Sequence, residues 1–316
     1  MQPDMVWIKS RSDAFNHMLY DAARGVQKHI KPDSTAAEAT DANSLTAFGS
    51  DGFTVGTNSD INNSSDTYAA WCWNTQGGAG SSNTTGSINS TTTSVGATQG
   101  ISISTYTGTN TAATIGHGLG AVPKIVIVKR TNGAAGWYMH HHNLTSANYH
   151  IILNTTAAQG TGTYQWNDTL PTSTVFSVGT GSDTNGSSDT YVAYCFAPKQ
   201  GFSSIGSWIG NATTDGPFVY TGFRPAFVLT KPINYASAWV ISDNKRPGYN
   251  NASASNLSLQ PNTSGAEITE ARMDLLSNGF KLRTTAAEVN AAYNYMYIAF
   301  AEAPLVNSNG VPCNAR

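Results

Sequence analysis

Three stretches of this 316-residue chain resemble one another, and that repetition constrains the fold more than any local signal. Pro3-Asp4-Met5-Val6-Trp7-Ile8-Lys9, Pro123-Lys124-Ile125-Val126-Ile127-Val128-Lys129 and Pro225-Ala226-Phe227-Val228-Leu229-Thr230-Lys231 share a Pro, an apolar run and a Lys six residues after the Pro. They begin 120 and then 102 residues apart. A second element, Tyr68-Ala69-Ala70-Trp71-Cys72-Trp73, Tyr191-Val192-Ala193-Tyr194-Cys195-Phe196 and Tyr295-Met296-Tyr297-Ile298-Ala299-Phe300, recurs at nearly the same spacings. Fourteen residues after each Pro stand His17, Trp137 and Trp239, and four further on Asp21, His141 and Asp243. Agreement at both ends of each copy reads as three related segments.

Composition selects the secondary structure. Only 11% of residues are charged, against roughly 25% in an ordinary soluble domain. The solvent face of a surface helix needs Lys, Glu and Arg, and here Thr, Ser, Asn and Gly take their place, residues that disfavour helix interiors. The chain is therefore expected to be all-β. Asp51-Gly52 and Asn278-Gly279 mark hairpins suited to positive φ, while the second copy runs through Val175-Phe176-Ser177-Val178 without such a turn. Short strands between turns predict three tandem antiparallel β-sandwich repeats, at 1–74, 101–198 and 199–304. A Ser/Thr/Gly-rich connector occupies 75–100, with a thin edge strand expected over 86–95, and a tail follows at 305–316.

Side chains alternate faces along a strand, so Trp71 and Trp73 point one way and Tyr68, Ala70 and Cys72 the other. Both faces are apolar. One builds the core, and the other meets a neighbouring repeat, a covering loop or another subunit. The second and third copies carry an additional leading strand, Ile101 to Gly108 and Phe202 to Gly210, whose Gly lies 15 residues before the Pro. The first copy starts two residues before its Pro and lacks that strand. Its open edge predicts completion by another chain or by the tail Pro304 to Arg316.

Several function classes are disfavoured. A net charge of -2 and a pI near 6.4 offer no footprint for nucleic acid. Apolar runs of four or five residues fall far short of the roughly 20 that span a bilayer, so no membrane insertion is expected. Met1-Gln2-Pro3-Asp4 lacks a leader pattern, which makes the Asn-x-Ser/Thr triplets compositional accidents. Sparse carboxylates and the absence of a Gly-x-Ser-x-Gly elbow argue against a hydrolase, and Asp21 and Asp243 read as repeated structural caps. No enzyme activity and no cofactor are expected.

The binding candidates are few. His140 and His142 share a strand face and are the metal candidates, with a third ligand to come from His117, His150 or a trimer axis; a polar strand beside Trp137 is the plainer reading. Trp166 and Trp208 sit in polar or turn surroundings and are candidate sugar platforms, against the commoner core role. Gly116-His117-Gly118-Leu119-Gly120 lacks the Lys-Ser/Thr ending of a phosphate loop and reads as a turn. Lys9, Lys129 and Lys231 read as charged strand ends that discourage aggregation. Cys72 and Cys195, matched by Ala299, are expected as reduced, buried packing thiols, with Cys313 exposed in the tail.

Gly86-Ser87-Ile88-Asn89-Ser90, Ile101 to Gly108 and Gly116 to Lys124 resemble repeat modules of virion proteins of marine tailed phages, tail-fibre-like proteins in particular. Pro3 to Trp73 is similar to a companion module, and Phe300-Ala301-Glu302-Ala303-Pro304 with the tail fits the same group, so the likeness covers most of the chain. It implies lectin-like, jelly-roll-like β-sandwiches on a virion and a non-enzymatic structural role in a fibre or capsid decoration. Homotrimerisation, contact with other virion proteins and contact with a host surface glycan follow as expected partners. It carries over no catalytic residue, and it departs at the start, where the family's leading strand is missing.

Overall fold

The computed structural model describes residues 1–246, 250, 257–270 and 272–304. The fold is all-β and antiparallel, with three single-turn helices, Ser59–Asn62, Thr163–Trp166 and Ser182–Asn185, among the described residues. The chain forms two compact units. One holds Met1–Asn154 with Gly160–Ala197, and the other holds Thr155–Gln159 with the described residues from Pro198 onward.

The strand that follows each Pro pairs with the Tyr-led strand in one shared register. Met5–Ser10 runs against Tyr68–Trp73 with Met5 opposite Trp73. Ile125–Arg130 runs against Thr190–Phe196 with Ile125 opposite Phe196. Pro225–Pro232 runs against Asn294–Ala301 with Phe227 opposite Phe300, after a bulge between Pro225 and Phe227. Because side chains alternate, the shared register sends Val6, Val126 and Val228 to equivalent core positions.

Around the second of these pairs grows a seven-stranded sheet in the order Gly160–Thr161, Tyr149–Ile152, Trp137–His141, Ile125–Arg130, Thr190–Phe196, Ile101–Thr107, Thr92–Gly96. A two-stranded sheet, Ala113–Gly116 with Val175–Val178, packs on it, and Tyr106, Val126, Ala193 and Cys195 meet Ile115, Phe176 and Val178. The third segment repeats the plan with a six-stranded sheet and a three-stranded one, Phe218–Tyr220, Gly279–Leu282 and Met273–Leu276. Its core joins Trp208, Val228, Tyr295 and Tyr297 to Val219, Leu275 and Phe280.

The first segment is thinner. Its sheet has three strands, Met18–Asp21, Met5–Ser10 and Tyr68–Trp73, facing one hairpin, Leu45–Gly49 with Gly52–Val55. Six residues make its buried core: Val6, Ile8, Met18, Tyr20, Leu45 and Ile61. Among the described residues no strand completes its open side, and the tail proposed to do so lies outside them from residue 305 on.

Three local expectations change. Neither Asp51-Gly52 nor Asn278-Gly279 enters the left-handed region. The two-residue loops are Ser50-Asp51 and Ser277-Asn278, one step earlier, and each Gly opens the returning strand. At Gly279 the reason for glycine is close approach, since a Cβ there would overlap the carbonyl oxygen of Val219 on the neighbouring strand. The connector is tied down: Asp4 Oδ2 accepts from Thr75 N (2.7 Å), and Thr75 Oγ1 lies 2.6 Å from Ser94 Oγ. Its edge strand runs over Thr92–Gly96, because there it pairs with Ile101–Thr107.

Candidate functional site

The strongest polar constellation lies on the second face of the second segment's sheet, where the first segment docks. Lys129 is fully buried, and its Nζ donates to Arg130 O (2.7 Å) and to Thr35 O (3.3 Å). Trp137 Nε1 donates to Lys31 O and Ser34 O at 3.0 and 3.1 Å. Two backbone bonds, Ala135 N to Thr35 O and Glu38 N to Thr131 O, clamp the same loop. Tyr194 Oη donates to Asp21 Oδ2 at 2.6 Å. Of the three occupants considered for this face, the neighbouring segment is the one found.

The same joint recurs inside the second unit. Lys231, also fully buried, donates to Pro232 O (3.1 Å) and Thr156 O (3.2 Å), and Gln159 N donates to Ile233 O (2.8 Å). Position for position, Thr156 and Gln159 match Thr35 and Glu38. Lys9 is buried as well, donating to Ser10 O and Asp13 O. The lysines are therefore not charged strand ends: each stem follows the apolar strand inward and its ammonium sits among backbone carbonyls, the partners a buried cation requires. Burial lowers Lys129 and Lys231 to about 8.

Asp21 belongs to a buried ion cluster that also explains Asp243. Arg24 Nε meets Asp21 Oδ2 at 2.6 Å, its NH1 meets Glu38 at 3.1 Å and its NH2 donates to Leu19 O. Arg246 repeats this with Asp243 (2.7 Å), Glu267 (2.8 Å) and Ile241 O. Each Asp also accepts the backbone N–H of its Arg, three residues on, and so caps the turn. Removing one member of such a cluster strands a buried charge, which makes it a structural lock.

The candidate ligand residues do not converge on a cavity. Trp166 is 2% exposed and Trp208 8%, both in cores, and Trp208 stacks on Tyr295 at 5.0 Å while its Nε1 donates to Val289 O. Neither ring is presented to a sugar. His140 is buried edge-on to Trp166, and its burial, with His142 nearby, pushes it down to about 4. His142 lies beyond the strand and is exposed, its ring against His141. The strand ends before the alternation reaches it, so one ring is buried and the other exposed. Among the described residues no group of three His, Cys, Asp or Glu side chains is placed to hold a metal. His117 closes the Gly-rich turn, accepting from Leu119 N and contacting Thr172 O at 3.1 Å.

A family model described as domain of unknown function (DUF7483) matches residues 1–304. The chain belongs to that family. No curated protein and no solved structure matches it. The match runs through all three segments and the connector, so the joint and the ion clusters lie within the family's extent. Among the described residues no helix is long and apolar enough to cross a membrane.

Cysteine exposure separates the first segment from the second. Cys195 is fully buried, as expected, but Cys72 at the matching position is exposed, because the second sheet that covers Cys195 has only a hairpin as its counterpart. Cys313 lies outside the described residues. Two of the structural groups were missed in the sequence, the lysine cage and the Arg24 and Arg246 clusters. Their signal was present: a Lys inside an otherwise apolar strand, and an Asp-x-x-Arg spacing in the first and third copies.

Proposed function

We propose that this chain is a non-enzymatic structural protein of a phage particle, a fibre or capsid-decoration component built from three β-sandwich repeats. The observation that carries the reading is the recurrent joint. One segment's loop, through Thr35 and again through Thr156, supplies a carbonyl to a buried lysine of the next. Repetition of one joint, made from main-chain groups and buried side chains, suits modules strung into an assembly. The likeness of Gly86 to Ser90, Ile101 to Gly108 and Gly116 to Lys124 to marine phage modules supports the virion setting. On this reading the partners are further copies of the chain, as a homotrimer, and other virion proteins, the protein being made in the host bacterial cytoplasm. Mass spectrometry of purified particles tests it: hundreds of copies indicate a capsid component, a few or a few dozen a tail fibre, and absence from the particle refutes the proposal.

A second reading, a carbohydrate-binding adhesin at the host surface, draws on one observation. Tyr235 and Tyr293 stack at 4.2 Å with planes 8° apart, and Tyr235 is 40% exposed. Tyr293 is partly buried against the core, so the exposed Tyr235 ring is the one that offers a flat face to a sugar. A glycan array without signal at high protein concentration removes that reading.

A further inference from the structure

We propose that the outer edge of the Tyr68–Trp73 strand is a strand-accepting site for a segment of another polypeptide that reads Ser-x-Ser/Gly-x-Tyr/Trp-x-Gly. The site is read from the fold alone and stands independently of the virion reading.

The motif comes from what fills the equivalent edge elsewhere in the chain. Ile101–Thr107 lies antiparallel against Thr190–Phe196, and Ser203–Ile209 against Asn294–Ala301. Aligned, the two read Ser102-Ile103-Ser104-Thr105-Tyr106-Thr107-Gly108 and Ser204-Ile205-Gly206-Ser207-Trp208-Ile209-Gly210. The aromatic residue stacks on the first Tyr of the accepting strand, Tyr106 on Tyr191 at 5.2 Å and Trp208 on Tyr295 at 5.0 Å. The Gly is obligatory by geometry, since a Cβ at Gly108 would overlap the carbonyl oxygen of Gly186, and one at Gly210 that of Ala291. The next amide then docks on a buried Asn: Thr109 N donates to Asn185 Oδ1 (2.9 Å) and Asn211 N to Asn290 Oδ1 (3.1 Å).

The first segment keeps the accepting half of this arrangement. Tyr68 Oη donates to Ser59 O and accepts from Asn63 N, as Tyr191 Oη does with Ser182 O and Gly186 N, and Tyr295 Oη with Ala287 O and Ala291 N. Asn62 stands six residues before Tyr68, as Asn185 stands before Tyr191, and each donates its amide to the carbonyl of a Gly six residues earlier, Gly56 or Gly179. What differs is the cover. Asn185, Ala193 and Cys195 are fully buried, whereas Asn62, Ala70 and Cys72 are exposed. Among the described residues no strand pairs along the outer edge of Tyr68–Trp73. Both copies of the motif in this chain are seated in their own sheets, and residues 305–316 contain no aromatic residue to stack on Tyr68. The proposed occupant is a motif-bearing strand of a separate polypeptide, held by main-chain bonds along the edge and selected by its aromatic and its Gly.

A synthetic peptide with the sequence of residues 101–112, fluorescently labelled and titrated with the full chain, tests the proposal. Saturable binding is expected, weakened about tenfold or more when Tyr106 of the peptide is Ala, because stacking and burial are lost together. A peptide with Gly108→Val is expected not to bind. Binding is also expected to disappear in the Cys72→Arg protein, where an exposed position now carries a bulky cation on the accepting face, with circular dichroism checking that this variant is folded. The peptide is further expected to slow maleimide labelling of Cys72, followed by peptide mass mapping. The proposal is overturned if no peptide binds at about 1 mM, if the Gly108→Val peptide binds equally well, or if Cys72→Arg leaves binding unchanged. Burial holds the Cys72 thiol at about 11, so its labelling is read against fully buried Cys195, and the proposal is equally overturned if without peptide Cys72 is as resistant to maleimide as Cys195, since the edge is then already covered by the chain itself or by a second copy.

Discussion

Replacing Tyr194 by Phe removes one oxygen atom from the joint between the first and second segments and leaves the ring stacked near Trp137. That oxygen donates to Asp21 Oδ2 over 2.6 Å, and both residues are buried to 1% exposure or less. Burial, the largest influence on it, holds the Tyr194 hydroxyl well above the ordinary tyrosine range, so it stays protonated as the donor. A hydrogen bond to a charged group contributes about 1.5–3 kcal/mol. Asp21 keeps its two bonds from Arg24 in the variant, so the carboxylate is not stranded and the expected loss is about 2 kcal/mol. For a unit of this size each kcal/mol lowers Tm by about 2–4 °C, giving a drop of about 4–8 °C in the calorimetric transition of the unit holding Met1–Asn154 and Gly160–Ala197. A double-mutant cycle with Asp21→Ala isolates the pair: Tyr194→Phe in that background, where the acceptor is gone, is expected to cost less than about 0.5 kcal/mol. A loss below about 0.5 kcal/mol in the native background, or an equal loss with and without Asp21, refutes the lock.

The buried lysines predict an inverted pH dependence. Because burial lowers Lys129 from 10.5 to about 8, the unfolded chain binds more protons between those values, so stability rises with pH there. The gain from pH 8 to about 9.5 is about 2 kcal/mol for this residue, and the stability gained over that pH range, measured by urea unfolding, is expected to fall by that amount in Lys129→Met. Burial pushes both thiols up, Cys72 to about 11 and Cys195 to about 12, so thiol labelling of the native protein is expected to be slow at Cys72, which is exposed, and absent at buried Cys195 until denaturant is added. Asn185→Ala, which removes bonds to Thr109 N, Thr111 O and Gly179 O, is expected to cost about 3 kcal/mol or more. The same change at exposed Asn62 is expected to cost less than about 0.5 kcal/mol, and chemical denaturation compares the two.

Much of the fold was legible because strand alternation and internal repetition are properties of the chain itself. The Pro-led and Tyr-led elements became paired strands in one register, and their two apolar faces announced two sets of neighbours. Other features could not be read locally. Hairpin dipeptides signalled a turn but not its phase, since the loop closes on Ser50-Asp51 and Gly279 answers to a backbone in another strand. His140 and His142 alternate correctly on paper, yet the strand stops at His141 and only one of them is buried.

Sequence alone determined an all-β chain with repeated strand pairs, because periodicity and composition act over a few residues at a time. Tertiary structure decided which face of each strand meets a neighbour, that Lys129 and Lys231 are buried cations rather than strand ends, and that Cys72 is exposed where Cys195 is buried. Those outcomes depend on groups 75 or more residues away, such as the Thr35 and Thr156 carbonyls. Whether a lysine ends in water or in a cage is settled by which distant main-chain oxygens reach it.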